Sequence, residues 1–455
     1  MKIKEIKNHN GSIVEVSGFV SQIRDLKKMQ FVILKDITGK LQITIPKTEE
    51  NKTLNEIVLA LTPESSIKVT GKVCVSEFVK LNGVELIANN IEVANIAATP
   101  LPIDMNNFTD SETNRDLRLD WRFLDLRTPE HQLIFKVQTT AEMAMREFWV
   151  NNGFIEIHSP KLMGNPSESG AELFELNYFG GKAYLAQSPQ FYKQMAIASG
   201  FEKVFEIGPV FRANKSHTSR HDTEFTCIDC EFAWIESYED IMKFEEEWVV
   251  YFLTKVKEKH GEEIKELMNR EVIIPKLPFP RISMAEAKKL VESLGYTIPP
   301  QTKGDLDPTA EKMLGEYFMK TEGNPFVFVT DFPTSIRPFY HRYNPQNPET
   351  TCSYDLLWNG LEVTTGAQRE HRFPVIVKQG IEKGVIPKNA MNEKGEVVEE
   401  NLPVGMKSYL ECFNYGCPPH GGFGFGLTRM LMNILGYTNV REVTYIYRGV
   451  DRLTP

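Results

Sequence analysis

The sequence has few of the features that mark a membrane or secreted protein. Its 455 residues include no run of eighteen or more apolar residues, and its start, MKIKEIKNHNGSIVEV, has no hydrophobic signal region. It has only six cysteines, and they are scattered, which favours reduced thiols over a disulfide framework. The sequence therefore predicts a cytoplasmic protein that has no membrane partner.

Several signatures of metal and nucleotide binding are also missing. Cys227 and Cys230 form a CxxC pair, but no second Cys or His pair stands at zinc-site spacing. No GxxxxGK[ST] occurs, and the glycine-rich GGFGFG at 421–426 lacks the βαβ unit and acidic residue of a dinucleotide-binding fold. These absences argue against a structural zinc site, a P-loop and a Rossmann-type domain.

An excess of positive charge is missing as well. The 52 Lys and Arg residues are outnumbered by 61 Asp and Glu, so the net charge is −9. This balance excludes a general polyanion binder, but it is compatible with a protein that holds one RNA through local basic and aromatic patches. The length, with 41% apolar and 25% charged residues, is typical of a globular protein of two or three domains.

Residues 1–97 read as β structure with frequent turns. Five short strands with one helical piece, NKTLNEIVLAL, after the third predict a small β-barrel of the OB type. Such barrels bind single-stranded nucleic acid on one face. On that face we expect Phe31 to stack a base and Arg24, Gln42 and Glu85 to supply hydrogen bonds. The alternative for Phe31 is a position in the barrel core, which the pattern alone favours.

Residues 98–130 carry prolines, an Asn-Asn pair and mixed charge, which predicts a hinge between two domains. Helical and strand patterns then alternate irregularly through 131–455, so the whole chain is predicted to be of the α+β class. Mixed helix and loop around 270–325 predict an insertion in this second domain.

The stretch FRANKSHTSRHDTEFTCIDCE, Phe211 to Glu231, predicts two strands joined by a long charged loop. It brings Arg212, Arg220, His221 and Phe225 to one hairpin. Guanidinium groups recognise phosphate, and an aromatic face stacks a base, so the hairpin suits a nucleotide. A solvated hairpin with ordinary surface charges is the alternative.

Two further stretches carry chemistry. Asp355 and Glu362 lie on β segments joined at Asn359-Gly360, where a hard divalent cation carrying nucleotide phosphates suits two neighbouring carboxylates. A pair of surface acids is the alternative. GGFGFGLTR predicts a strand against which a flat ligand can lie, followed by a helix that begins near Arg429.

Together, the region around Pro160, the FRA…RH…EF hairpin and GGFGFGLTR resemble the three signature motifs of class II aminoacyl-tRNA synthetases. AYLAQSPQFYKQ, GAQREH and the terminal RLTP are similar to the aspartyl enzymes of the archaeal and eukaryotic type. The resemblance implies an OB-fold anticodon-binding domain, a catalytic domain with an antiparallel β-sheet flanked by helices, and a homodimer formed largely through 154–160 and the preceding helix.

The resemblance also implies roles for individual residues. Arg212 and Arg429 would be the catalytic arginines on ATP, and magnesium would be bound by Asp355 and Glu362. The remaining candidates are, for ATP, Asn214, Arg220, His221, Phe225 and Glu362; for aspartate, Glu168, Ser188, Gln190, Lys193, Asp229 and Arg369; and for the anticodon, Arg24, Phe31, Gln42 and Glu85. The family usually has Glu where Asn214 stands.

The implied activity is that of an aspartate–tRNA ligase, with ATP as substrate, Mg²⁺ as cofactor, and L-aspartate and tRNA-Asp as partners. Charging of tRNA-Asn is left open as a second activity. Lys193 and Arg369 favour aspartate over asparagine, since a carboxylate attracts two cations and an amide does not. The alternatives are an asparaginyl enzyme, a synthetase-like paralogue with a binding or regulatory role, and an asparagine-making relative.

Overall fold

A computed structural model describes residues 1–105, 114–165, 172–302 and 304–455 of the chain. The chain divides into two compact units, Met1–Gln132 and Leu133–Pro455, which are described separately. Within the described residues, no helix combines the length and the apolar composition needed to span a membrane. The predicted limits at 97 and 130 stay a prediction.

The first unit contains a closed five-stranded barrel with strand order β1-β2-β3-β5-β4. Its strands are β1 (Ile13–Asp25), β2 (Met29–Asp36), β3 (Gly39–Pro46), β4 (Ser66–Val75) and β5 (Val84–Asn95), and its helices are α1 (Lys52–Ala60), α2 (Arg115–Asp120) and α3 (Arg122–Asp125). Alternate residues such as Val32 and Leu34 point into the core because side chains change face at each step along a strand. The predicted OB barrel, with its helix after the third strand, is confirmed.

The second unit is built on an eight-stranded sheet, in the order β12-β13-β14-β15-β16-β11-β10-β6, and a small sheet of β7, β9 and β8. The strands are β6 (Ile155–Glu156), β7 (Leu162–Met163), β8 (Glu175–Tyr178), β9 (Gly181–Leu185), β10 (Lys203–Phe211), β11 (Glu224–Ala233), β12 (Arg281–Ser283), β13 (Phe326–Thr330), β14 (Ser353–Trp358), β15 (Leu361–Gln368) and β16 (His420–Gly426). The large sheet is antiparallel at its centre, as predicted, while the edge strands β6 and β12 pair in parallel with their neighbours.

Helices accompany these sheets. They are α4 (Pro129–Asn151), α5 (Gln190–Ala198), α6 (Tyr238–Met268), α7 (Met284–Ser293), α8 (Pro308–Glu322), α9 (Phe373–Glu382), α10 (Lys407–Glu411), α11 (Leu427–Leu435) and α12 (Val440–Val443). The segment predicted as an insertion contributes α7, α8 and β12, and β12 joins the large sheet beside β13. The predicted α+β class is confirmed.

The glycine-rich strand β16 shows how the core and the site divide the sheet between them. Phe423 and Phe425 are fully buried and pack against Trp248 of α6, with ring centroids 5.4 and 5.2 Å from the tryptophan. Gly424 and Gly426 alternate with them and therefore face the opposite side, where they line a cavity. One strand thus supplies both the aromatic core and an open floor without side chains.

Candidate active site

A cavity of about 310 Å³ lies over this floor. It is bordered by residues from β11, β15, β16, α5, the first turn of α11 and the loop between β10 and β11. The predicted site residues that line it are Ser188, Gln190, Lys193, Arg212, Asn214, Arg220, His221, Phe225, Asp229, Glu362, Arg369 and Arg429. Asp355 lies directly behind Thr365 of the lining, and Glu168 lies outside the described residues. Predictions scattered over more than 200 residues of sequence therefore meet in one cavity.

One end of the cavity, here called the cation end, holds Lys193 and Arg369. The Lys193 ammonium lies 3.1 Å from Asp229 Oδ1 and 3.2 Å from Glu231 Oε2. The Arg369 guanidinium donates through Nε to Glu231 Oε1 at 2.9 Å and through Nη2 to the Gly422 carbonyl at 3.0 Å. All of these side chains are buried. The geometry fixes two cations in positions from which they can bind a substrate carboxylate.

At the cation end, the buried side chains of Lys193 and Glu231 both stay charged because each stabilises the other. Burial acts to lower the pKa of Lys193, but Glu231 and Asp229 outweigh it and hold that pKa above its usual range. Burial acts to raise the pKa of Glu231, but Arg369 and Lys193 hold it below its usual range. Neutral His341 accepts a hydrogen bond from Arg369 Nη1 at 3.0 Å, because burial and the arginine push its pKa well down.

Glu231 is a residue that sequence reasoning missed. It lies two positions after Asp229 on β11, so both carboxylates share one face of the strand. That spacing was a readable signal, but its meaning depends on Arg369, which is 138 residues away in sequence.

The other end of the cavity, here called the nucleotide end, holds Arg212, Phe225 and Arg429. Arg212 is the first residue after β10, and its guanidinium carbon lies 5.5 Å from the centre of the Phe225 ring. Arg429 lies in the first turn of α11, and its Nη1 donates to the Glu362 carbonyl at 2.7 Å. A cation and an aromatic face therefore meet where the hairpin sequence predicted them.

The loop between β10 and β11 is tied to other parts of the second unit. Arg220 pairs with Glu311 of α8 at 2.9 Å, and Asn214 Oδ1 accepts a hydrogen bond from the Ser216 amide at 2.8 Å. Burial and Arg429 lower the pKa of His221. Asn214 thus stabilises a local turn in this structure.

Asp355 and Glu362 form the predicted carboxylate pair. Thr365 Oγ1 donates to Asp355 Oδ1 at 2.7 Å and lies 3.4 Å from Glu362 Oε1. Burial and the neighbouring Glu362 together raise the pKa of Asp355 to about 6, against the opposing effect of Arg337. Two neighbouring carboxylates fit Mg²⁺, which takes oxygen ligands and shares them with phosphates. No cluster of three or more His, Cys, Asp or Glu suited to a metal occurs among the described residues, so phosphate oxygens would have to complete such a site.

The barrel brings its four predicted residues to one outer face. Arg24 pairs across the sheet with Phe31, and Gln42 pairs with Glu85, whose Oε2 accepts a hydrogen bond from Gln42 Nε2 at 3.0 Å. Phe31 is half-buried and lies outside the barrel core. The core position considered as an alternative is therefore not the one it occupies.

Known proteins match both units. The family model "tRNA synthetases class II (D, K and N)" matches residues 114–447, and "OB-fold nucleic acid binding domain" matches residues 14–94. The chain is 40% identical to an "Aspartate–tRNA(Asp) ligase" of Pyrococcus abyssi and 43% identical to an "Aspartate–tRNA(Asp/Asn) ligase" of Methanopyrus kandleri. Each alignment spans 446 residues and covers 98% of this chain and 97% of the relative.

Solved structures agree with this match. An asparaginyl-tRNA synthetase of Pyrococcus horikoshii complexed with asparaginyl-adenylate superposes with a TM-score of 0.88 at 33% identity, covering 100% of this chain and 99% of that one. An aspartyl-tRNA synthetase of Entamoeba histolytica superposes with a TM-score of 0.86 at 31% identity, covering 100% and 92%. Because the family model covers most of the chain and the relatives align over nearly all of it, this chain belongs to the class II tRNA synthetases of the D, K and N group.

Proposed function

We propose that the protein is an aspartate–tRNA ligase that activates L-aspartate with ATP and transfers it to tRNA-Asp. The observation that carries the proposal is the pair of buried cations, Lys193 and Arg369, in the same cavity as Arg212, Phe225 and Arg429. Two fixed cations suit the side-chain carboxylate of aspartate, whereas the neutral amide of asparagine gains little from them.

In the proposed reaction the α-carboxylate of aspartate attacks the α-phosphorus of ATP and pyrophosphate leaves. The 3′-terminal ribose hydroxyl of the tRNA then attacks the aspartyl carbonyl, and AMP leaves. No side chain forms a covalent bond with the substrate. Arg212 and Arg429 bind the phosphates and stabilise the charge that develops there, while Phe225 stacks the adenine. Mg²⁺ held by Asp355 and Glu362 would neutralise further phosphate charge.

The cation end orients the amino acid. Lys193 and Arg369 would bind its side-chain carboxylate, and Asp229, one of whose carboxylate oxygens has no hydrogen-bond partner among the described residues, would accept from its ammonium group. Ser188 and Gln190, at the start of α5, would bind its remaining polar atoms. Glu168 would belong to the segment that closes over the amino acid.

We also propose a homodimer that forms through α4 and residues 154–160. Met143, Val150 and Ile155 support it, because these large apolar side chains are 62%, 59% and 46% exposed. The reaction uses ATP and tRNA, both of which are abundant in the cytoplasm, and this supports the predicted cytoplasmic location.

Aminoacylation with aspartate, asparagine and lysine tests the proposal directly. We expect charging with aspartate alone, measured with purified tRNA-Asp and tRNA-Asn side by side. Relatives named for tRNA(Asp) and for tRNA(Asp/Asn) both resemble the chain, so the second tRNA decides between the two specificities. Charging with asparagine would replace the proposal by the asparaginyl alternative, and no charging at all would favour a paralogue with a binding role.

The proposed anticodon face has its own test. Phe31→Ala should lower kcat/KM for tRNA-Asp by about ten- to a hundredfold, since one stacked base contributes about 1–3 kcal/mol. Aspartate-dependent ATP–pyrophosphate exchange should not change. Ile13→Ala, which removes another exposed apolar side chain from the barrel, is the matched control. Equal loss in both variants would contradict the assignment of Phe31.

A further inference from the structure

Arg337 is a cavity-lining residue that sequence reasoning did not single out. It follows a short 3₁₀ turn, Thr334–Ile336, in the connection between β13 and β14. Its guanidinium carbon lies 3.7 Å from the centre of the Phe332 ring, and its Nη2 lies 2.7 Å from Asp355 Oδ2. Its side chain is only 12% exposed, and its Nε has no hydrogen-bond partner among the described residues.

Arg337 lies beside Asp355 and Arg429 beside Glu362, but the two arginines are held differently. Arg429 projects from α11 and donates to a backbone carbonyl, that of Glu362, which no metal ion would need to take. Arg337 is attached to the pair through the Asp355 carboxylate itself. A divalent cation bound by Asp355 would therefore compete with Arg337 and leave the main contact of Arg429 intact.

The charges of the two carboxylates and the two arginines also distinguish Arg337 from Arg429. Asp355 and Glu362 carry two negative charges, and Arg337 and Arg429 carry two positive charges, so the cluster is balanced without a metal ion. A divalent cation creates a local excess of positive charge that only an anionic ligand in the cavity can offset. The guanidinium displaced from Asp355 already lines that cavity, and its planar group of N–H donors suits phosphate oxygens.

We propose that Arg337 is a phosphate-binding residue of the ATP site. Asp355 holds the Arg337 guanidinium until a divalent cation binds to Asp355 and displaces the guanidinium. The inference rests on the proposed function for the identity of the phosphate ligand, but its competition with a metal ion does not depend on that function. Phe332 supplies a pivot, because its ring packs against the guanidinium whichever anion Arg337 binds.

The test uses Arg337→Leu and Arg337→Lys in the full chain. Binding of Mn²⁺ alone, without nucleotide, is measured by electron paramagnetic resonance. Arg337→Leu should bind Mn²⁺ at least about tenfold more tightly than the original protein, because its competitor is gone, and should raise the KM for ATP in aspartate-dependent exchange at least about tenfold. Arg337→Lys keeps the charge but loses the planar group, so both effects should be smaller. A residue with only a structural role would not tighten metal binding.

Arg281→Leu is the matched control, since Arg281 also lies over a phenylalanine of the large sheet and pairs with carboxylates, but outside the cavity. It should change neither Mn²⁺ affinity nor the KM for ATP. Unchanged or weaker Mn²⁺ binding by both Arg337 variants would overturn the competition, and an unchanged KM for ATP would overturn phosphate binding. If the original protein shows no aspartate-dependent exchange, the proposed function fails, while the Mn²⁺ measurement still decides the competition.

Discussion

The two ends of the cavity differ in how their charged side chains are paired. At the cation end, Lys193 and Arg369 are surrounded by Asp229 and Glu231, and the pKa of Glu231 is held down by the cations around it. At the nucleotide end, Asp355 lies beside a second carboxylate, and burial raises its pKa to about 6. The first end is a network of four buried charges that is paired before any ligand arrives, whereas at the second end Asp355 pairs with Arg337 and Glu362 with Arg429.

This difference corresponds to the role proposed for each end. An amino-acid pocket gains selectivity when its charged groups cannot move, because an imperfect substrate then leaves them unpaired. A site for metal and polyphosphate has to exchange partners, since its ligands enter and leave in every cycle. The buried pairs of the cation end suit the first property, and the exchange proposed for Arg337 and Asp355 would provide the second.

The largest effect is expected when one of the two cations is removed from the cation end. Lys193→Met should lower kcat/KM for aspartate by about two to four orders of magnitude, because losing one partner of a buried ion pair costs about 3–5 kcal/mol. The KM for ATP should change little if the ends are independent. Both constants come from ATP–pyrophosphate exchange.

Lys182→Met is the control for this substitution, because Lys182 pairs with Glu175 on the surface, where both side chains are largely exposed. It should leave exchange unchanged. Normal exchange by Lys193→Met would contradict the assignment of the amino-acid pocket.

Two glycines of β16, Gly422 and Gly426, differ in the space around them, and substituting each tests how this strand supports the cation end. A Cβ at Gly422 would lie 2.0 Å from the Cys230 carbonyl oxygen and 2.6 Å from Glu231 Oε2, so Gly422→Ala must displace the carboxylate that orders the cation end. A Cβ at Gly426 meets nothing closer than the Arg429 side chain at 3.6 Å. We expect Gly422→Ala to lower Tm by about 3 to 10 °C and Gly426→Ala to leave it within about 1 °C. Similar shifts in both would show that packing at Gly422 does not decide the order of the cation end.

The smallest effect concerns Asp222, a buried carboxyl in the cavity lining. Burial raises its pKa to about 7, against the effects of Arg429 and Arg212. The native state therefore holds its proton more tightly than the unfolded state, whose pKa is about 3.8. Stability is lost as pH rises from about 4 through 7, where this group must ionise in a buried position.

Asp222→Asn removes that titration. The Tm of the variant relative to the original protein should therefore be higher at pH 8 than at pH 5, by about 1 to 3 °C. Differential scanning fluorimetry at both pH values measures it. A difference in Tm that does not depend on pH would mean that Asp222 is not protonated in the native state near pH 5.

Much of the fold follows from local pattern. The barrel strands alternate between core and surface, and the helix after the third strand stands where NKTLNEIVLAL predicted it. β10 and β11 also form the predicted pair of strands joined by a long loop, with Arg212 just after the first strand and Phe225 near the start of the second. Periods of two and 3.6 residues are local properties, so a single stretch of sequence is enough to read them.

The parallel edge strands and the partners of the charged residues could not be read in that way. β12 joins the sheet from within a segment whose sequence predicts an insertion, because pairing at an edge depends on a crossover and not on the pattern of the strand. No sequence motif marked Arg337 as a site residue. Its contacts with Asp355 and Phe332 exist only in the folded chain, so they could not be predicted from the sequence.

The class of the two domains and the residue types available for a nucleotide, a carboxylate and a metal ion can be read from the sequence alone, because motif composition and strand period are properties of neighbouring residues. Which charges neutralise each other becomes visible only in the folded chain. Lys193 lies on α5, Glu231 on β11 and Arg369 just after β15, and the strength of a buried charge pair depends on distances that exist only after those elements pack.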